Sequence, residues 1–90
     1  MKLTIINGCL MKDRASAHDY LAEALDLPGY YGRNLDALAD CLSEMTPDDY
    51  ILIQHAAALR RRLGGYGDSL LTVFQDVCER GGPTVLISER

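Results

Sequence analysis

Leu27-Pro28-Gly29-Tyr30-Tyr31-Gly32-Arg33-Asn34-Leu35-Asp36-Ala37-Leu38-Ala39-Asp40-Cys41-Leu42 reads as a tight aromatic turn that delivers a capped helix. Pro28, Gly29 and Gly32 are turn formers, and Asn34 is a favoured N-cap whose side chain can accept from a backbone N–H two or three residues on. The helix is therefore expected to begin near Asn34. Counting about 100° per residue, Leu35, Leu38, Cys41, Leu42 and Met45 fall within one broad arc, while Asp36, Asp40 and Glu44 line the opposite side. One face is core and the other is an acidic stripe.

Like charges four residues apart oppose a helix by about 0.2 to 0.5 kcal/mol per pair. Asp36 recovers part of that from the positive end of the helix dipole, but Asp40 and Glu44 lie too far along to gain much. The stripe reads either as a solvated helix face or as a surface for a cationic partner.

On the N-terminal side, Ala17, Tyr20, Leu21, Ala24 and Leu25 repeat at helical spacing, with Ser16 as the expected cap and Asp19 in place of the usual capping-box glutamate. This helix ends before Pro28. Ahead of it, Leu3-Thr4-Ile5-Ile6 is a β-prone run closed by Asn7-Gly8. It lacks polar alternation, which predicts a strand covered on both faces.

On the C-terminal side, the acidic helix stops around Met45 because Pro47, Asp48 and Asp49 break its pattern. Tyr50-Ile51-Leu52-Ile53 is the strongest strand, again expected to be buried on both faces. His55 to Leu63 is an alanine-rich helix ending in Arg60-Arg61-Arg62, cations at the negative end of its dipole. Gly64-Gly65-Tyr66-Gly67 reads as a flexible connector; no Lys-Ser/Thr follows it, so it is not a phosphate-binding P-loop. Asp68 or Ser69 then caps a helix with Leu70, Leu71, Val73, Phe74, Val77 and Cys78 on its buried side, ended by Gly81-Gly82, and Pro83 to Ser88 forms a last strand.

The order β-α-α-β-α-α-β, with strands joined by helical crossovers, predicts an α/β fold: a three-stranded parallel sheet packed with helices, in one domain over residues 1–90. The composition, 48% hydrophobic and 24% charged, is that of an ordinary globular protein. A net charge of -4 argues against nucleic acid or an anionic membrane as partner. No apolar run approaches the length of a membrane span and no signal-peptide pattern opens the chain, so a cytoplasmic location is expected. Cys9, Cys41 and Cys78 form neither a CxxC pair nor a disulfide framework and read as free thiols in or near the core.

Catalytic chemistry is hard to assemble. His18 and His55 are isolated, without the spacing of a zinc site, and read as surface or capping residues; no serine sits in a nucleophile elbow. Asp36 and Asp40 could be paired carboxylates or Mg²⁺ ligands, but nothing supplies them with a pocket or a second partner. The expectation is a non-enzyme without metal or cofactor. An exposed acidic stripe beside tyrosines suits a protein with a strongly positive cleft, tyrosines giving rigid contact area and carboxylates giving steering and charge-assisted hydrogen bonds.

The run Tyr30-Tyr31-Gly32-x-Asn34-Leu35-Asp36-Ala37-Leu38-x-Asp40-Cys41-Leu42 closely resembles the core motif of the barstar family, intracellular inhibitors of the secreted bacterial ribonuclease barnase. The resemblance extends over nearly the full chain, including Ile6-Asn7-Gly8, Leu27-Pro28 and Val73-Phe74. It implies a three-stranded parallel sheet with helices. It further implies that the acidic helix and the preceding loop plug a ribonuclease active site, acids standing where RNA phosphates would lie. By the resemblance, Asp40 corresponds to the family's hot-spot aspartate and Asp36 to the acid one turn earlier. Tyr30 and Asn34 correspond to contact positions, Tyr31 accompanies them, and Gly32 permits close backbone approach. Ser43 stands at a small hydroxyl contact and Asp76 replaces a peripheral glutamate.

Three positions depart from the pattern. Ala39 stands where the best-known member has an interface tryptophan, Arg33 replaces an acid, and Glu44 differs as well. The expected partner is thus a barnase-like ribonuclease or a related secreted toxin with a basic cleft, met by a chain that is monomeric when free. The alternative is a barstar-like module for a basic protein that is not a nuclease.

Overall fold

The computed structural model describes residues 2–90. Three strands, β1 (Lys2–Asn7), β2 (Asp49–Gln54) and β3 (Thr84–Ile87), alternate with helix pairs α1 (Arg14–Ala24) and α2 (Leu35–Ser43), then α3 (Ala56–Leu63) and α4 (Gly65–Glu79). A short 3-10 turn at Gly8–Leu10 follows β1. The sheet is parallel in the order β1-β2-β3, with Ile6 opposite Ile53 and Ile53 opposite Ile87. This is the α/β architecture expected from the sequence.

Coverage of the sheet differs from expectation. Thr4, Ile6, Ile51 and Ile53 are buried, but their neighbours Leu3, Ile5 and Leu86 are more than half exposed, so the core lies on one face only. The cause is topological. Both crossovers step in the same direction across the sheet, and crossovers of one hand then set both helix pairs on the same side. Covering the second face requires a reversal of strand order, which three strands in sequence do not contain.

On the covered face, Leu21 from α1, Leu38 and Leu42 from α2, Leu59 from α3 and Leu70 and Phe74 from α4 join Ile6, Met11, Ile51 and Ile53 in one fully buried cluster. The two apolar positions of α2 that are fully buried are thus four apart, as a helix packing one stripe requires.

Three local expectations are corrected. Asp13, not Ser16, caps α1: its carboxylate accepts the Ser16 N–H at 2.8 Å, and the Ser16 hydroxyl accepts the Asp13 N–H at 3.1 Å. The capping box therefore sits one turn earlier, with Asp13 as the cap and Ser16 as its reciprocal partner. Gly65 to Gly67 is the first turn of α4 and not a loop, the break being confined to Gly64 at φ 58°. A Cβ at Gly67 would stand 2.9 Å from Leu59 Cδ2, so glycine here lets α4 cross close over α3. Finally α2 ends at Ser43, short of Met45.

The C-terminus closes the fold. His55 sits at the N-cap of α3 at φ 59° with no side-chain capping bond, and the carbonyls of Ser88 and Glu89 accept the N–H groups of Ala56 and Ala57 at 3.0 and 3.2 Å instead. Arg60 pairs with Asp68 at 3.2 Å and with Glu89, while Arg62 donates to the Cys9 carbonyl at 2.7 Å. Two arginines of the basic run are therefore engaged in intramolecular contacts.

Candidate functional site

The loop between α1 and α2 is built mostly from its own backbone. Leu27 N–H donates to the Ala22 carbonyl and Tyr31 N–H to the Pro28 carbonyl, both at 2.9 Å, forming the turn that the Pro-Gly pair announces. Tyr30 and Tyr31, adjacent in sequence, have opposite fates: Tyr30 is 85% exposed and Tyr31 only 7%. One tyrosine is offered to solvent and the other anchors the loop.

The next residues start the helix. The Asn34 amide donates to the Gly32 carbonyl at 3.2 Å and its oxygen accepts the Ala37 N–H at 2.8 Å, so a single side chain closes the turn and caps α2. A Cβ on Gly32 would come within 3.3 Å of both Ala37 Cβ and Asn34 Nδ2. Between them Arg33 takes a left-handed backbone, φ 55°, and its guanidinium pairs with Asp19 of α1.

Along α2, Asp36, Asp40, Ser43 and Glu44 are exposed and Ala39 is half-buried. The Ser43 hydroxyl donates back to the Ala39 carbonyl at 2.7 Å. Asp76 is exposed on α4, the helix that packs against α2. Among the described residues, none of Asp36, Asp40, Glu44 or Asp76 forms an ion pair; the pairs present involve Arg33 and Arg60 with other acids. The exposed acids of α2 are uncompensated among the described residues.

His18 and Tyr66, not assigned to the site by the sequence reading, lie beneath the loop. His18 is 2% exposed rather than at the surface. Its Nδ1 lies 2.5 Å from the Tyr31 hydroxyl and its Nε2 2.5 Å from that of Tyr66. Burial, and then the positive charge of Arg33, lower the His18 pKa and favour the neutral ring. Burial, followed by Tyr66 and Cys41, pushes the Tyr31 phenol up to about 12. The signal was in the spacing, since His18 stands three before Leu21 and seven before Leu25, on the apolar side of α1.

Above this pair opens a cavity of about 640 Å³, lined by Arg14, His18, Asp19, Arg33, Asp36 and Tyr66 among others. The Arg14 guanidinium stacks over the Tyr66 ring, 4.4 Å from its centroid. The concavity thus adjoins the first acid of the stripe. Cys41 is half-buried between core and stripe, and burial, with Glu44 and Asp40 nearby, raises its pKa and keeps it a thiol. Among the described residues no group of His, Cys, Asp and Glu could hold a metal ion, and no helix is long and apolar enough to cross a membrane.

The family model described as Barstar (barnase inhibitor) matches residues 1–86. A protein of Bacillus subtilis (strain 168) named "Putative ribonuclease inhibitor YrdF" is 39% identical over 80 residues, 88% of this chain and 88% of that protein.

Proposed function

The chain belongs to the barstar family, and from that premise we propose that it is a protein inhibitor, not an enzyme, which blocks the active site of a barnase-type ribonuclease with α2 and the preceding loop. The observation that carries the reading is the pair Asp36 and Asp40, exposed on α2, one turn apart and without an ion pair among the described residues. Exposed carboxylates without a cation partner among the described residues are open to an external cation, and two of them at helical pitch imitate successive phosphates of a polyanion.

Around that pair, Tyr30 supplies a rigid aromatic contact, Asn34 and Gly32 fix the loop edge, and Ala39 and Ser43 extend the surface along α2. Asp76 adds an acid from α4. Tyr31 enters differently, since its buried ring orders the loop from beneath. The inhibitor acts as a cytoplasmic monomer on a secreted toxin, in the manner of an immunity protein.

The experiment is inhibition of barnase by wild type and Asp40→Ala at low and moderate salt. Inhibition by wild type that is lost in the variant, with unchanged circular dichroism, supports the reading. Equal inhibition by both proteins overturns it. Absence of inhibition by wild type directs the search to another basic partner, Ala39 and Arg33 being the departures that would redirect specificity.

A further inference from the structure

From the ring of His18 bonded on both nitrogens, we infer that His18 is the positioning residue of the contact loop, locking it to the helical body through Tyr31 on one side and Tyr66 on the other. The inference rests on the proposed function for its consequence, but the lock is a property of the free protein.

Between Gly29 and Asn34 the hydrogen bonds of the loop are local, linking Tyr31 to Pro28, Asn34 to Gly32 and Asn34 to Ala37. Tyr31 packs into the hydrophobic core, and among the described residues two polar side-chain attachments reach another element. One is the exposed pair of Arg33 with Asp19, of a class that holds weakly in water. The other is Tyr31 to His18, buried at 7% and 2% exposure. A buried hydrogen bond leaves an unsatisfied polar group when broken, so it resists opening where the surface pair does not.

The second nitrogen explains why histidine is suited to the position. A neutral imidazole has one donor and one acceptor, and the two tyrosine hydroxyls, each able to serve either role, satisfy both. Tyr66 comes from the first turn of α4, so the bridge spans α1, the loop and α4. Arg14 stacked on Tyr66 restrains that ring in turn. Phenylalanine or leucine at position 18 would fill the space and anchor neither tyrosine. His18 touches no reacting group; it sets where Tyr30 and Asn34 stand.

The test compares wild type, His18→Leu, His18→Gln and Tyr66→Phe by amide hydrogen exchange and by inhibition of barnase. In His18→Leu the amides of Tyr31 to Asn34 should exchange about tenfold faster with β2 and α4 unchanged, as for a locally loosened segment. Inhibition should weaken about fivefold to tenfold, the loss that accompanies one net hydrogen bond. Glutamine, which can donate and accept, should restore both readouts in part. Should His18→Leu fail to fold, Tyr66→Phe, which deletes one hydroxyl, decides with the same readouts. Unchanged loop exchange in the folded variants overturns the inference, as does faster exchange with undiminished inhibition. If wild type does not inhibit barnase, the proposed function fails on its own, and the loop amides still decide whether His18 is the lock.

Discussion

Asn34 accepts the Ala37 N–H at 2.8 Å while donating to the Gly32 carbonyl at 3.2 Å, so the residue that closes the contact loop also starts the acidic helix. Loop order and helix order therefore depend on one side chain. Asn34→Ala should lower stability by about 1 kcal/mol, the usual cost of a lost N-cap. In a domain of this size that corresponds to a fall in Tm of about 4–8 °C. Asn34→Asp keeps the capping oxygen and should hold most of that stability, losing only the donor to Gly32. Thermal unfolding of the three proteins separates capping from loop closure.

The uncompensated acids of α2 make a kinetic prediction. Charges on a binding rim act mainly on association rate and its dependence on salt. Barnase–barstar is itself the reference case for such steering, so the direction carries over and its magnitude is left to measurement. Stopped-flow association with barnase should slow as salt rises, and Asp36→Asn should slow it at low salt while leaving dissociation less affected. An association rate independent of salt would remove steering from the mechanism.

Arg33 is the cation nearest the stripe in sequence, held outward by Asp19 with both side chains more than half exposed. Breaking such a pair costs about 0–1 kcal/mol. Arg33→Glu should therefore leave the fold intact and, by removing a positive charge and adding a negative one, speed association with a basic-cleft ribonuclease at low salt. Slower association would mean that the target presents an acid opposite Arg33, and would mark this residue as a specificity determinant.

Much of this was legible in the sequence because it rests on local rules. Asn34 as cap, Leu38 and Leu42 as the buried stripe and the order of helices and strands along the chain all follow from turn chemistry and periodicity. What escaped depends on contacts across the chain. Gly65 to Gly67 opens α4, and it is Leu59 of α3 that leaves no room for a side chain at Gly67. His18 joins residues 13 and 48 positions away, which spacing along α1 can place on a buried face but cannot pair. The open face of the sheet follows from the direction of strand addition, which an apolar run such as Leu3 to Ile6 does not encode.

That open face gives a direct contrast between adjacent residues of β1. Ile6 is fully buried and Ile5 is 51% exposed. Ile6→Ala should cost about 2–5 kcal/mol, the range for a core truncation that leaves a cavity. Ile5→Thr, on the solvent side and with β-propensity retained, should stay within about 0.5 kcal/mol. Urea unfolding measures both. A large loss from Ile5→Thr would mean that something covers this face in solution, and sedimentation would then show whether it is a second copy.

The last prediction concerns pH. His18 faces Tyr31 and Arg33 from the loop, Tyr66 from α4, Arg14 and Asp19 from its own helix, and Asp36 across the cavity. Burial first, and Arg33 second, lower its pKa from the ordinary value of 6.5, so the folded state binds its proton less readily than the unfolded chain. Where the unfolded state binds more protons, stability rises with pH. The His18 contribution is therefore fully present above about pH 6.5 and is lost as pH falls from there toward the lowered folded value. His18→Gln, which cannot titrate, should flatten that part of the stability profile without altering its course above neutrality. Tyr31 works in the opposite sense at the alkaline end: with its phenol held up near 12, stability is kept below about pH 10 and lost as pH rises between the two values. Urea midpoints against pH for wild type, His18→Gln and Tyr31→Phe resolve the two windows, and an acid-side slope that survives in His18→Gln would assign it to the carboxylates instead.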